Sequence, residues 1–254
     1  MICEPFAFGS SLVHRIDPRI RVVFAVLYTF AVALSNELAA LFFALCVSFL
    51  LVLLARLDRR AVINRLKVVV GFTLLIWLIL PLTFEGAPFF RLGPITLTRP
   101  GVMLSAAITL KSVAILLAFI ALAATLSFSE LGRTLHRLGC PGKFVHHLLL
   151  TYRYIYVLEA EYHRLLRAVK IRSFKPKTSL HTYKTYAYMV GMLFVRASER
   201  GVRVHRAMCC RGFDGRFYCL SQFPPTNWNW FFALLMTGAL SGLAVLEYLK
   251  PPLF

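Results

Sequence analysis

Five apolar stretches, separated by more polar segments, dominate the hydrophobic pattern of the chain. They cover residues 20–34, 38–55, 68–84, 102–126 and 228–249. A helix needs about 20 apolar residues to cross a bilayer, with about 17 as the short limit, so the first stretch is marginal. The pattern predicts an all-α integral membrane protein with about five transmembrane helices.

A different pattern fills residues 128–227, between the fourth and fifth apolar stretches. Apolar residues recur there at helical spacing, but charges between them make the segment too polar to span a bilayer. Polar and glycine-rich breaks divide it into a short helix and two long ones, over residues 129–136, 143–173 and 182–211. We therefore expect three parts: membrane helices one to four in 1–127, a helical insert in 128–227 and a last membrane helix in 228–254.

The charges orient this arrangement in the membrane. Charged residues make up only 16% of the chain, yet the formal net charge is +18. Of the 29 Lys and Arg residues, 25 lie in segments 1–21, 56–67 and 128–227. Because cytoplasmic loops retain Lys and Arg, these segments are predicted to face the cytoplasm. The N-terminus and the insert are then inside the cell, the C-terminus is outside, and the chain lies in the cytoplasmic (inner) membrane.

Two seven-residue segments of the insert share one pattern. Residues 168–174 read AVKIRSF and residues 207–213 read AMCCRGF, so both follow Ala-x-x-x-Arg-small-Phe. The Ala lies one helical turn before the Arg, on the same face. A small residue there lets another surface approach while the guanidinium reaches past it to a carboxylate or to carbonyls. Helix capping and lipid binding also explain cations near a helix end, but neither requires both copies of the pattern.

Further cations lead up to each pattern on the same helix face. On the first long helix Arg164, Ala168 and Arg172 follow one another at intervals of four. On the second, the intervals are four, three, four and four, through Arg196, Arg200, Arg203, Ala207 and Arg211.

Four segments together resemble a known family. They are HRIDPRIRVV (14–23), LHRLGCP (135–141), YRYIYVLEAEYHRLLRA (152–168) and ERGVRVHRAMCCRGFDGRF (199–217). The chain resembles the transmembrane T component of energy-coupling factor (ECF) transporters, in particular the subgroup that serves cobalt and nickel uptake. This resemblance implies a non-catalytic scaffold in an ATP-driven importer. Its membrane helices would hold a substrate-binding S component, and its cytoplasmic helices would dock into grooves on two ATP-binding-cassette ATPases.

The resemblance also implies which residues couple to the ATPases. The first motif would be Ala168, Arg172 and Ser173, and the second Ala207, Arg211 and Gly212. Ser173 stands where the family usually has glycine, and Cys209-Cys210 where at least one alanine is common. Supporting residues on the coupling helices would be Arg153, Arg196, Glu199, Arg200 and Arg203.

Other chemistry finds less support in the residues. The six cysteines lack metal-site spacing, and His146, His147 and His163 lack carboxylate or thiolate companions at ligand spacing, so no metal ligand is predicted. In the resembling family the S component binds the metal. A phosphate-binding loop of the Gly-x-x-x-x-Gly-Lys-Ser/Thr type is absent from the sequence, and no cofactor is expected. Lys111, within the fourth apolar stretch, either contacts the S component or extends to the membrane interface.

Two alternatives remain beside the transporter interpretation. A membrane enzyme acting on phosphorylated lipids would use the arginines to hold the head group, but its acids would have to cluster, and here they are few and scattered. A channel or secondary carrier would carry more polar residues within the membrane, and inverted repeats are common in carriers. A nucleic-acid partner is not expected, because orientation in the membrane already accounts for the basic charge; membrane lipid is an expected partner.

Overall fold

A computed structural model describes residues 16–83, 88–92, 95–213 and 228–248 of the chain. The described residues form eight helices and one antiparallel two-stranded hairpin. In chain order these are α1 Pro18–Leu34, α2 Leu38–Ala55, α3 Arg59–Thr83, β1 Pro88–Leu92, β2 Ile95–Thr98, α4 Arg99–Leu122, α5 Phe128–Arg137, α6 Gly142–Ile171, α7 Leu180–Cys210 and α8 Trp228–Tyr248. The predicted all-α fold class is confirmed. Expectations that fall on residues 1–15, 84–87, 93–94, 214–227 and 249–254 lie outside the described residues.

Four helices in the described part of the chain are long and apolar enough to cross a membrane: α2, α3, α4 and α8. Helix α1 has 17 residues and so extends over about 26 Å, the marginal length that the sequence predicts. Helix α3 begins at Arg59, nine residues before the apolar stretch that predicted it. The basic residues between 59 and 67 are therefore helical too, although they are too polar to have signalled a membrane segment.

Helix α4 is the centre of the membrane helices, because α1, α2 and α3 all pack against it and α8 packs against α1 and α2. Three small residues of α4, Ala114, Ala118 and Ala121, are fully buried and let neighbouring helices approach closely. The buried Tyr28 hydroxyl donates to the carbonyl of Ala44 at 2.6 Å. A polar group inside a bilayer needs such a partner, since no water is available to it.

The described residues divide into two compact units, with the boundary inside α5 between Thr134 and Leu135. The membrane unit contains α1 to α4, most of α5, and α8. The insert unit contains the last residues of α5 together with α6 and α7. In the membrane unit, Ser127 and Glu130 cap the start of α5 reciprocally: the Glu130 amide donates to Ser127 Oγ, and the Ser127 amide donates to Glu130 Oε2.

Candidate functional site

The two arginine motifs lie at the C-terminal ends of the two long helices of the insert unit. We call residues 168–174 motif 1 and residues 207–213 motif 2. Helix α6 has 30 residues and α7 has 31, so each extends over about 45 Å. Motif 1 is separated from the start of α7 by a short turn, whereas motif 2 lies at the far end of α7. The motifs are therefore near opposite ends of one long helix.

The two motifs have the same backbone conformation. In motif 1, the Ser173 amide donates to the carbonyl of Lys170 (3.0 Å) and the Phe174 amide to that of Val169 (3.3 Å). In motif 2, the bonds at the corresponding positions come from the amides of Gly212 (3.0 Å) and Phe213 (3.1 Å). Both patterns are Schellman motifs, in which two amides after the helix satisfy carbonyls of its last turn. Each helix thus ends one residue before its arginine.

Ser173 is the position at which motif 1 departs from the pattern of the resembling family, which usually has glycine there. It adopts φ of 63°, in the left-handed region, and Gly212 adopts φ of 79° at the same position of motif 2. A residue with a side chain loses about 1–2 kcal/mol in this conformation, and glycine does not. Motif 1 therefore keeps the helix end of motif 2 despite the serine, and Arg172 occupies the same capping position as Arg211.

The motifs expose the residues that the sequence singles out. Ala168 and Arg172 are exposed, as are Ala207 and Arg211. In motif 1 the half-buried Phe174 ring lies 5.8 Å from the ring of Tyr186, edge to face, which fixes the turn against α7. Each motif thus offers a guanidinium with five N–H donors beside an uncovered alanine, an arrangement that suits a carboxylate or carbonyl groups on a partner surface.

A buried carboxylate joins the two long helices. Glu161 of α6 is only 8% exposed and accepts a hydrogen bond from Arg196 Nη1 of α7. Its second oxygen lies 3.3 Å from Arg164 Nη1, one turn further along α6. The hydrogen bond from Arg196 lowers the pKa of Glu161, and the charges of Arg164 and Arg200 lower it further, although burial opposes them. The carboxylate is therefore ionised at neutral pH and binds α6 to α7.

The structure separates the supporting residues into two groups. Arg196 and Arg200 act on Glu161, so the first part of the cationic face of α7 is directed to α6. Glu199 and Arg203 are exposed on α7. Arg153 is exposed on α6, 19 residues before Arg172 and so roughly 28 Å from it along the helix. The sequence analysis did not single out Glu161. The signal that could have found it is an acidic residue three positions before an arginine on an otherwise basic helix.

The described residues show no cluster of three or more His, Cys, Asp or Glu side chains that could hold a metal ion. His205 Nε2 lies 3.7 Å from Cys209 Sγ, one helical turn apart on α7. His163 Nε2 lies 4.0 Å from Glu159. Burial lowers the pKa of His146, and the neighbouring His147 lowers it further. These contacts are pairs within one helix, not a coordination site.

Lys111 extends from α4 to the turn between α1 and α2. Its Nζ donates to the carbonyl of Ala33 at 3.2 Å and to Asn36 Oδ1 at 3.1 Å. The same turn is held by Glu247 of α8, which accepts from the Ser35 hydroxyl at 2.6 Å and from the Asn36 amide at 3.1 Å. Of the two alternatives for Lys111, this geometry favours extension to the membrane interface.

Residues 9–219 match the family of cobalt transport proteins named CbiQ. The chain belongs to this family. It is 28% identical to the energy-coupling factor transporter transmembrane protein EcfT of Bacillus subtilis, over 85% of each chain. It is also 28% identical to EcfT of Brevibacillus brevis, over 82% of each chain. The nickel permease LarQ of Lactiplantibacillus plantarum is 26% identical, over 92% of this chain and 79% of the relative. The predicted family resemblance is confirmed, and the family match includes both motifs.

Proposed function

We propose that the chain is the membrane-embedded coupling subunit of an ATP-driven importer of the energy-coupling factor type. Motif 1 and motif 2 dock into two ATP-binding-cassette ATPase subunits, and the membrane helices hold a substrate-binding S component. The observation that supports this most directly is the repetition of one exposed helix end, with the same hydrogen bonds and the same alanine and arginine, at two distant places. Two similar docking surfaces on one chain fit two similar grooves on a pair of ATPases.

The geometry suggests how motion would pass between the partners. When the ATPases close on ATP, their two grooves move relative to one another. Each groove displaces one end of the helix pair, since Arg172 and Arg211 lie near opposite ends of α7. Glu161 transmits this displacement between α6 and α7, because it bonds to Arg196 across the two helices. The chain itself performs no chemical step in this scheme.

The proposed cargo is cobalt or nickel. One family description names cobalt transport, and a relative is named a nickel permease. We place the metal-recognition site on the S component and assign no metal ligand to this chain. The basic insert and the N-terminus lie in the cytoplasm, where ATP is available, and the C-terminus lies outside.

Co-purification tests the docking role. The tagged full chain is co-expressed with the candidate ATPases of its source genome, as wild type and as Arg172→Glu and Arg211→Glu. Removing one partner of a buried charge pair weakens binding by 2–5 kcal/mol or more, so each reversal is expected to reduce ATPase capture by roughly 30-fold or more. Arg167→Glu and Arg206→Glu are matched controls, since each makes the same charge change one residue before the alanine of a motif, on a different helix face.

The controls are expected to capture ATPase as wild type does. If they lose it equally, the effect is one of general charge and the motifs are not docking sites. If Arg172→Glu and Arg211→Glu bind normally, the arginines only cap their helices. The cargo is tested separately, by ATP-dependent accumulation of radioactive cobalt or nickel in vesicles that contain the whole complex. Absence of metal uptake, with ATPase capture intact, would overturn the cargo and leave the coupling role standing.

A further inference from the structure

A groove of about 690 Å³ lies in the membrane unit, where α2 ends and α3 begins. Its walls are apolar side chains of the two helices, and Leu117 of α4 contributes to it as well. Two arginines, Arg56 and Arg59, line it at the junction between α2 and α3. The groove thus combines a long apolar surface with positive charge at the level where the chain leaves the apolar stretch of α2.

The groove exists because α2 and α3 pack chiefly on α4 and not on each other. The groove is open at the surface of the protein, since its lining residues Phe49, Leu53 and Ile63 are 56%, 54% and 50% exposed. In a membrane protein this opening faces the bilayer, and an apolar surface at this depth is covered by acyl chains or by another apolar helix. The positive charge of Arg56 and Arg59 at the junction favours the acyl chain of an anionic lipid over an uncharged apolar helix.

The two arginines are available to an anion. Neither guanidinium is paired with a carboxylate in the part of the chain that the structure describes. Arg56 ends α2 with φ of 46° and ψ of 44°, a left-handed conformation that is costly for any residue except glycine. Glycine is the usual residue at such a helix end, so Arg56 presents its guanidinium at the junction at a conformational cost.

We propose that this groove binds one anionic phospholipid. The phosphodiester of the head group is held by Arg56 and Arg59, whose planar guanidiniums match phosphate oxygens. An acyl chain lies along the apolar wall formed by Phe49, Leu53 and Ile63. Basic pockets between transmembrane helices on the cytoplasmic side are a known form of lipid recognition, and the proposed orientation places the junction on that side. The site is independent of the two motifs.

Native mass spectrometry of the purified full chain tests this site. The protein is exchanged into mixed nanodiscs of dioleoyl phosphatidylglycerol and dioleoyl phosphatidylcholine, and the lipids retained after detergent release are counted. Each of the two groove arginines is expected to favour retention of the anionic lipid by roughly fivefold, because it contacts the phosphodiester, whereas exposed cations outside the groove do not hold a lipid after detergent release. The preference of the wild type should therefore fall roughly fivefold in Arg59→Gln and roughly 25-fold in Arg56→Gln/Arg59→Gln.

A control variant separates this site from general charge. Arg60→Gln/Lys67→Gln removes the same two charges from nearby exposed positions that do not line the groove, and it should retain the wild-type preference. Ile63→Trp fills the groove without a charge change and should reduce retention of the anionic lipid. Equal losses in the control and in Arg56→Gln/Arg59→Gln would overturn the proposal. So would equal retention of both lipids by the wild type, or displacement of the bound lipid by inorganic phosphate alone.

Discussion

Ser173 and Gly212 occupy one position in two copies of the same helix end, and only one of them suits it. Both adopt positive φ, at 63° and 79°. The serine places its Cβ where the left-handed backbone crowds it, so we expect the helix end of motif 1 to be less stable than that of motif 2, although the hydrogen bonds are the same. This difference in local stability can be measured at single amides, because the amide after each of these residues is bonded to the last turn of its helix.

Ser173→Gly is expected to stabilise the end of α6 by about 1 kcal/mol. Local opening of the Phe174 amide from the Val169 carbonyl should then become about fivefold rarer. Hydrogen exchange of that amide, followed by mass spectrometry or NMR, measures the change. Gly212→Ser is the reciprocal variant and should speed exchange of the Phe213 amide by a similar factor. Exchange rates that stay unchanged in both variants would show that the φ of this residue does not limit the stability of the motif.

Glu161 makes the joint between α6 and α7 sensitive to acid. Its pKa in the folded chain is lowered, first by the hydrogen bond from Arg196. The stability that this carboxylate contributes is therefore fully present above the ordinary glutamate pKa of about 4.3, and it is lost as pH falls through the lowered pKa. Glu161→Gln should unfold at a lower temperature than wild type at pH 7, and this difference should shrink below about pH 4. A difference that is constant with pH would contradict an ionic role.

The residues of the motifs could be predicted from the sequence, because both copies have the same spacing of alanine and arginine, and this spacing alone places the two residues on one helix face. Ala168 and Arg172 lie on one face of a continuous helix wherever that helix lies. The bond between Glu161 and Arg196 could not be predicted, since it depends on how two long helices rotate about their axes after the turn between them. The hydrogen bonds of Lys111 could not be predicted either, because its partners Ala33 and Asn36 lie at a turn that is distant in sequence.

At the scale of elements, the hydrophobic pattern predicts that a helix is present but not always where it begins or ends. The apolar stretch at 68–84 marks the part of α3 that suits the bilayer, whereas the helix itself starts at Arg59. The hairpin of β1 and β2 is not among the predicted elements, because its strands have only five and four residues. A period of two residues cannot be recognised reliably over so short a length. Helices α6 and α7 were predicted to within two residues, because breaks at proline, glycine and serine bound them.

The close contact between the end of α3 and the start of α4 depends on Gly101. A Cβ added there would lie 2.8 Å from the Cα of Pro81 and 3.0 Å from the carbonyl oxygen of Leu80. Because these are backbone atoms, the helices would have to separate. Gly101→Ala is expected to destabilise the chain by about 1–3 kcal/mol. Thermal unfolding in one detergent measures this effect, with Gly71→Ala as the control.

Gly71 lies within α3, and a Cβ added there would meet no atom within 4 Å. Its replacement by alanine should not destabilise the chain, because alanine is preferred to glycine inside a helix by about 0.5–1 kcal/mol where the side chain meets no clash. If Gly101→Ala is equally mild, the two helices adjust without cost and the contact does not hold them in place.

For the whole molecule, the sequence predicts the class of fold but not the packing order. The membrane helices are apolar on nearly every face, so no polar side indicates which neighbour each one has. The central position of α4 follows from its buried alanines, which resemble ordinary apolar residues in the sequence. The number of spans depends on α1, since its 17 residues are at the short limit for crossing.

Labelling of single cysteines would determine both the orientation and the number of spans. In a background without the other cysteines, the chain carries Cys3, Cys209 or Asn36→Cys, and a membrane-impermeant maleimide is applied to intact spheroplasts and to inverted vesicles. Cys209 is exposed in the insert unit and Asn36 is exposed in the turn after α1. The proposed orientation predicts that Asn36→Cys reacts only in spheroplasts, whereas Cys3 and Cys209 react only in inverted vesicles.

The three positions separate two questions that a single position would confuse. Asn36 and Cys209 are separated by α2, α3 and α4, so they lie on opposite faces whether or not α1 spans. Of the described helices, only α1 lies between Cys3 and Asn36. If Cys3 reacts in spheroplasts together with Asn36→Cys, then α1 does not cross and the chain has four spans. If Cys209 reacts in spheroplasts, the insert lies outside the cell, away from ATP, and the proposed docking of Arg172 and Arg211 on ATPases would be wrong.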